Sequence, residues 1–203
     1  SVGYDITLNL VSQLPDVSRP GIFQKPLSLG ADVVVHSATK YINGHGDVVA
    51  GLVVGKKDFI TEVESFGIKD MTGCVLGPQE AFLIIRGLKT FEIRMQRHCE
   101  NAQKVVEYLM NEPKVEHVYF PGVPTHPNHD IACRQMKNFG VMISIEVKGG
   151  KRAGMDFVNH LKMAKIAVSL GDAETLVQHP ASMTHSAYNA EELADAGIPE
   201  GLV

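Results

Sequence analysis

Two runs of β-branched residues constrain the fold most, because each is long enough for a strand and neither alternates with polar residues. Residues 31–36 read ADVVVH and residues 48–54 read VVAGLVV. Unbroken runs of this kind are typical of strands buried on both faces, as in a parallel sheet covered by helices. The sequence therefore predicts an α/β fold with a mostly parallel sheet.

The segment between the two runs, SATKYINGHGD, is rich in small and polar residues. A loop that leaves a buried strand is where α/β proteins commonly place their functional groups. Lys40 lies in this loop, and the hydroxyl residues Ser37 and Thr39 precede it. A lysine amine can form a Schiff base with a carbonyl compound, and hydroxyl groups can donate hydrogen bonds to a phosphate. The segment therefore predicts a lysine that holds pyridoxal 5'-phosphate (PLP).

The same four letters, S-x-x-K, allow a second interpretation. Ser37 would be an acylated nucleophile and Lys40 its base, as in serine β-lactamases and penicillin-binding proteins. That chemistry needs an S-D-N-like motif and a K-T-G motif downstream, and the sequence contains neither, since Lys89-Thr90 is followed by Phe91. The PLP interpretation therefore explains the segment better.

Composition excludes several classes of protein. The chain is 44% hydrophobic and 21% charged, as in an ordinary globular domain, and its net charge of −4 argues against a nucleic-acid partner. No apolar run approaches the roughly 20 residues of a membrane span. The 3 cysteines lack a C-x-x-C spacing, which argues against disulfides and structural zinc and predicts a cytoplasmic location. His126 and His129 lie in a Pro-rich turn, so no metal site is predicted.

Local patterns predict the following elements. Helices are expected at 57–66, from Pro78 with a break at Arg86-Gly87, from Thr90 to about 110, at 151–161 and at 191–196; further strands are expected at 115–120, 141–147 and 166–170. A loop is expected at 67–77. The domain prediction is the C-terminal part of a PLP-binding large domain over 1–89, with 1–20 unassigned, a linking helix over 90–113, and a C-terminal small α/β domain, expected to be truncated, over 114–203.

The chain resembles the Cys/Met-metabolism PLP enzymes from about Pro26 to Val203. The matching segments, in order, are GADVVVHSATKYINGHGDVVAG, GIKDMTGCVLGP, RGLKTFEIRMQRHCENAQ, AVSLGDAETLVQHPASMTHS and GIPEGLV. Lys69-Asp70, Gly171-Asp172 and Gln178-His179 are most similar to the members that eliminate methanethiol from L-methionine. The resemblance implies the PLP-dependent transferase-like fold (fold type I), present here as a partial large domain and a smaller C-terminal α/β domain.

The resemblance also implies roles for individual residues. Lys40 would bind PLP covalently and move protons on the substrate, while Ser37 and Thr39 would hold the cofactor phosphate. Ser169 would receive the carboxylate of a small sulfur amino acid. Lys69 and Asp70 would influence substrate choice, and the alternative for these two is a surface ion pair.

The implied reaction is γ-elimination, and the implied assembly is a homotetramer built as a dimer of dimers. Cystathionine γ-lyase, cystathionine γ-synthase and O-acylhomoserine sulfhydrylase activities are the enzymatic alternatives. Asp16 is the nearest acid to the position expected to pair with the pyridine nitrogen. Because other expected groups would lie before residue 1 and after Val203, the chain is expected to be part of a longer protein. A catalytically inactive chain that only assembles is therefore a further alternative.

Overall fold

The computed structural model describes residues 24–203 as two compact units. The first comprises residues 24–96 and 135–138, and the second comprises residues 97–134 and 139–203. The division falls inside the helix expected to link two domains. The domain limits given above stay a prediction, and residues 1–20 and Asp16 lie outside the described residues.

The two β-branched runs of the first unit form paired strands. Strand β1 is Val33–Ser37 and strand β2 is Gly51–Gly55. They pair antiparallel, with Val33 opposite Gly55 and Ser37 opposite Gly51. The expected parallel relation is therefore wrong for these two strands. Hydrophobic runs do not specify pairing direction, and the connection from β1 to β2 contains only a short helical turn, whereas parallel neighbours need a long crossover.

Two helices lie in the first unit, and a third begins there and belongs to the second unit from Arg97 onward. Helix α1 is Lys57–Glu62, helix α2 is Pro78–Leu88 and helix α3 is Phe91–Leu109; a π-helical segment, Val63–Thr72, continues α1. The helix start at Pro78 is confirmed, whereas the break expected at Arg86-Gly87 is wrong because α2 continues through Gly87. The loop expected at 67–77 begins only at Gly73, where φ is +63°. The core contains Ala38, Ile42, Val48 and Ile84.

The second unit is also α/β. Strands β3 (Val115–Tyr119) and β4 (Ser144–Val147) pair antiparallel, and strands β5 (Lys165–Ile166) and β6 (Leu176–Val177) pair parallel. Its helices are α4 (His129–Gln135), α5 (Gly150–His160) and α6 (Ala190–Asp195). Helix α4 was not predicted from the sequence, and β4 and β5 are shorter than expected. Ile145 and Val203 exchange two backbone hydrogen bonds of 2.9 and 2.8 Å.

Helix α3 buries the apolar stripe that its sequence predicts. Met95, Cys99, Ala102 and Val106 are all buried. Ala102 and Val106 pack with Phe120 and Val123 in the core of the second unit. The recurrence of apolar residues at three and four positions thus explains how this helix is held. Within residues 24–203, no helix is both long and apolar enough to cross a membrane.

Candidate functional site

Lys40 lies at the carboxyl end of β1, in a π-helical turn formed by Ala38–Ile42. Its backbone leaves the helical region, with φ −88° and ψ −134°. The residue is half-buried, and its amine has neither a hydrogen bond nor an ion pair among residues 24–203. The strand and the turn therefore present a partly desolvated amine that is available for covalent chemistry.

The residues before Lys40 are fixed by Ala50, which directly precedes β2. The backbone N–H groups of Ala38 and Thr39 both donate to the Ala50 carbonyl, at 2.8 and 3.3 Å. The Ala50 N–H donates to Thr39 Oγ1 at 2.9 Å, whereas Thr39 Oγ1 lies 3.4 Å from the Ala50 carbonyl, a weak contact for its own proton. The Thr39 hydroxyl thus keeps a proton that it can donate to a phosphate oxygen.

Ser37 adds a second hydroxyl at the end of β1. Its side chain is half-buried and makes no hydrogen bond within residues 24–203. Two hydroxyl donors and one amine therefore lie within four consecutive residues. This set fits a compound that carries both a phosphate and an aldehyde, as PLP does.

The part of the loop that follows Lys40 is held by Arg94 in the first turn of α3. We call residues 38–44 the lysine turn. The guanidinium donates to the carbonyls of Tyr41 at 3.0 Å, of Ile42 at 3.4 Å and of Asn43 at 3.4 Å. It also donates to the Gly87 carbonyl at 3.0 Å. The sequence analysis missed this residue, because no local pattern indicates a contact between positions more than fifty residues apart.

Two glycines allow the helices to approach the lysine turn closely. Gly44 has φ +74°, and a Cβ there would overlap the Arg94 guanidinium. A Cβ at Gly87 of α2 would overlap the Asn43 carbonyl. The Asn43 side chain is buried and donates to Asp47 Oδ1 at 2.6 Å, and His45 Nδ1 donates to the Asn43 carbonyl at 2.6 Å. His45 thus stabilises the turn itself.

Lys69 and Asp70 lie near the end of the π-helical segment, apart from the lysine turn in sequence. Their charged groups are 3.5 Å apart, and the side chains are 78% and 56% exposed. This geometry is that of the surface ion pair considered as the alternative. An effect on substrate choice stays a prediction for both residues.

Ser169 belongs to the second unit, where it is exposed in the connection between β5 and β6. Its role as the carboxylate-binding residue stays a prediction. Nearby in sequence, His179 is fully buried: its Nε2 donates to the Glu200 carbonyl at 2.8 Å, and Ser182 Oγ donates to its Nδ1 at 2.7 Å. Both ring nitrogens are therefore occupied, and His179 holds the loop together.

Comparison with known proteins identifies the family. The family model described as Cys/Met metabolism PLP-dependent enzyme matches residues 16–203. The chain therefore belongs to this family, whose cofactor is PLP, and the amine and hydroxyls at the end of β1 fit that cofactor. The fold is the partial fold type I expected from the sequence.

Individual relatives show which members of the family this chain is similar to. The L-methionine gamma-lyase of Fusobacterium nucleatum subsp. polymorphum is 65% identical over 180 residues, which are 89% of this chain and 46% of that protein. Cystathionine gamma synthase from Xanthomonas oryzae pv. oryzae, solved with cystathionine, has a TM-score of 0.81 and 48% identity over 89% of this chain and 46% of that one. Cystathionine gamma-lyase from Lactobacillus plantarum, solved with L-serine, has a TM-score of 0.83 and 40% identity. The match covers 98% of this chain and 54% of that one.

The chain spans about half the length of the curated relatives it matches. The family match over residues 16–203 includes the lysine turn and the whole of the second unit. The activity, substrate and assembly of the whole protein are matters for a proposal.

Proposed function

We propose that this chain carries the cofactor lysine of a PLP-dependent carbon–sulfur lyase that degrades L-methionine. The observation that carries the proposal is Lys40, whose half-buried side chain has no partner among the described residues and which follows the hydroxyl residues Ser37 and Thr39 at the end of β1. The identity of 65% with an L-methionine gamma-lyase supports the choice of substrate. The products would be methanethiol, 2-oxobutanoate and ammonia, with one water consumed.

The chain's own residues have separate roles in this reaction. Ser37 and Thr39 hydroxyls donate to the cofactor phosphate and so fix its position. Lys40 Nζ would hold the cofactor and, once the substrate amine has taken its place, would accept the proton from the substrate Cα. PLP supplies the electron sink that makes this proton, and later one on Cβ, removable. Ser169 would bind the substrate carboxylate. Lys69 and Asp70 would influence which substrate is selected.

The first experiment measures whether Lys40 captures the cofactor. The visible spectrum of the purified chain is recorded with and without PLP, and the adduct is then reduced with borohydride and located by peptide mapping. We expect a yellow protein with the adduct on Lys40. Lys40→Arg should lose the adduct, whereas Lys56→Arg, a change at an exposed lysine before α1, should keep it. An adduct on another residue, or none, contradicts the proposal.

The second experiment distinguishes the related activities. Methanethiol release from L-methionine is compared with cysteine release from cystathionine under the same conditions. The similarity to a cystathionine gamma synthase and a cystathionine gamma-lyase favours the second activity as the alternative. Faster methanethiol release supports the proposal, and faster cysteine release replaces it with the alternative. Cofactor capture without either product favours a chain that only assembles.

We also propose a homotetramer formed as a dimer of dimers, acting in the cytoplasm. The resemblance to the family supports the assembly, and the three free cysteines, Cys74, Cys99 and Cys133, support the location. Sedimentation equilibrium in the presence of PLP tests the assembly. A mass that stays monomeric at all concentrations contradicts it.

A further inference from the structure

We propose that Arg94 is a positioning residue for Lys40, acting through the backbone of the lysine turn. The inference rests on the proposed role of Lys40 as the cofactor lysine. Arg94 is in the first turn of α3, where its N–H donates to the Thr90 carbonyl at 2.9 Å. Its side chain extends from this rigid element to three consecutive carbonyls that follow Lys40.

Backbone hydrogen bonds connect those carbonyls to Lys40 itself. The Gly44 N–H donates to the Lys40 carbonyl at 2.7 Å, and the Asn43 N–H donates to the Ala38 carbonyl at 3.1 Å. The Asn43 N–H shares its peptide bond with the Ile42 carbonyl, and the Gly44 N–H shares its own with the Asn43 carbonyl, so the same two peptide groups that accept from Arg94 also donate within the lysine turn. Fixing the carbonyls of Tyr41, Ile42 and Asn43 therefore restrains the backbone on which the Lys40 side chain is carried.

The chemistry of the contact requires an arginine. The last carbonyls of a helical turn have no partner in the turn and carry partial negative charge, so they favour a cation. A guanidinium has five N–H donors in a planar fork. Arg94 donates through them to four carbonyls, and its Nε donates to Thr90 Oγ1 at 3.1 Å. A lysine has three donors at one atom and cannot reach this set simultaneously.

The side chain of Arg94 is itself fixed from both sides. Thr90 Oγ1 accepts from its Nε, and Gly44 leaves just enough room for the guanidinium. Its charged group also lies 6.0 Å from the Phe91 ring centre. The residue is half-buried, so it forms a preorganised support for the turn.

The first test needs no cofactor. Hydrogen exchange of the Asn43 and Gly44 amides is measured in the full chain and in Arg94→Met, Arg94→Lys and Arg97→Met. Arg97 is the matched control, because it lies on the same helix and, among residues 24–203, its one ion pair is the exposed contact with Glu100. We expect both Arg94 variants to exchange these amides about tenfold faster or more, since several charge-assisted hydrogen bonds are lost. Exchange no faster than in Arg97→Met overturns the inference.

The second test measures the effect on the cofactor. PLP affinity is obtained from the visible spectrum, and the fraction fixed on Lys40 from borohydride reduction. We expect at least about tenfold weaker PLP binding in both Arg94 variants, because the Lys40 amine is less well oriented. We also expect the pH dependence of the visible band to shift. A role in folding alone would leave that pH dependence unchanged in the folded protein. Affinity and pH dependence equal to those of Arg97→Met overturn the inference.

The two tests separate this inference from the proposed function. If the unaltered chain does not fix PLP on Lys40, the proposed function fails, and the exchange test still decides the contact of Arg94 with the turn. If Arg94→Met does not fold, Gly44→Ala perturbs the same contact from the other side. Gly73→Ala is its control, because Gly73 also has a positive φ, +63°, but has open space around it. Equal exchange rates in the two glycine variants overturn the inference.

Discussion

Cys99 shows how its surroundings change the chemistry of a side chain. The residue is buried on the stripe of α3, and this burial raises the pKa of its thiol to about 11. Cys74 and Cys133 are exposed. Of the three, only Cys99 takes the place of a buried hydrophobic residue, and its position on a helical stripe is the pattern that indicates this.

The first prediction concerns the rates at which these thiols react. Because the thiolate is the reactive form, alkylation near pH 8 should modify Cys74 and Cys133 and leave Cys99 unmodified while the chain is folded. Peptide mass spectrometry after a time course with iodoacetamide measures the three rates. In urea all three should react alike. Modification of Cys99 as fast as Cys74 in the folded chain would contradict the burial described above.

The second prediction concerns His179, whose two ring nitrogens are both hydrogen-bonded in the second unit. His179→Ala should lower the free energy of unfolding by about 2–4 kcal/mol, because it leaves a cavity and removes the partner of the Glu200 carbonyl. Urea denaturation measures the change. His117→Ala, at an exposed position of β3, serves as the control and should change stability by less than about 0.5 kcal/mol. Equal effects would show that the His179 contacts contribute nothing.

Local sequence was sufficient to place Lys40, Ser37 and Thr39 at the end of a strand, but it did not indicate the contact of Arg94 with the same turn. The first three follow a hydrophobic run directly, so the strand that ends at Ser37 also determines where they lie. Arg94 contacts the same turn through the side chain of another element. Such a contact depends on how α3 packs, and periodicity along one segment contains no information about that.

At the scale of elements, β1 carries a titratable group whose surroundings should affect stability. His36 is half-buried in β1, and this burial lowers its pKa below the ordinary value of 6.5. The folded chain therefore resists protonation of His36 more than the unfolded chain does. As the pH falls through the unfolded pKa, protonation favours the unfolded state, so stability is lost on the acid side.

The third prediction follows from this difference in pKa. Between about pH 7.5 and about pH 5.5, the urea midpoint of the unaltered chain should fall further than that of His36→Gln, which has no titrating group at this position. Val53→Thr, an exposed change on the paired strand β2 that removes no titrating group, should show the pH dependence of the unaltered chain. A His36→Gln variant with the same pH dependence as the unaltered chain would contradict the prediction.

The boundaries of elements were predicted well where one residue type determines them. Pro78 starts α2 because its fixed φ and missing N–H suit the first helical position. The expected break at Gly87 is absent because this glycine serves a close approach to Asn43 rather than a helix end. The predicted parallel pairing of β1 and β2 was wrong for a related reason. Both features depend on tertiary neighbours, which a hydrophobic pattern does not specify.

At the scale of the whole molecule, the first unit exposes paired apolar side chains. Val35 and Val53 lie opposite each other on β1 and β2 and are 51% and 41% exposed. On α2, Phe82 and Ile85 are 57% and 60% exposed. Exposed pairs of large apolar side chains are typical of a face that another protein surface covers.

The fourth prediction is that this surface drives association of the chain. Sedimentation velocity should show species larger than the monomer, and Val35→Thr combined with Val53→Thr should shift the distribution towards the monomer. Threonine keeps the β-branched shape that suits a strand, so the pair of strands should persist. Val168→Thr, at an exposed position of the second unit, is the control. A distribution that is unchanged in the double variant would exclude β1 and β2 from the contact.

The close fit among Gly44, Gly87 and Arg94 also limits how this protein can diverge. A side chain larger than hydrogen at either glycine would displace the guanidinium or the Asn43 backbone. A substitution at one of these positions would therefore be tolerated only together with changes at the others. In a selection for active variants, the three should behave as one epistatic group although they are far apart in sequence. A mutational library aimed at new substrates would retain more active clones if it left these positions unaltered.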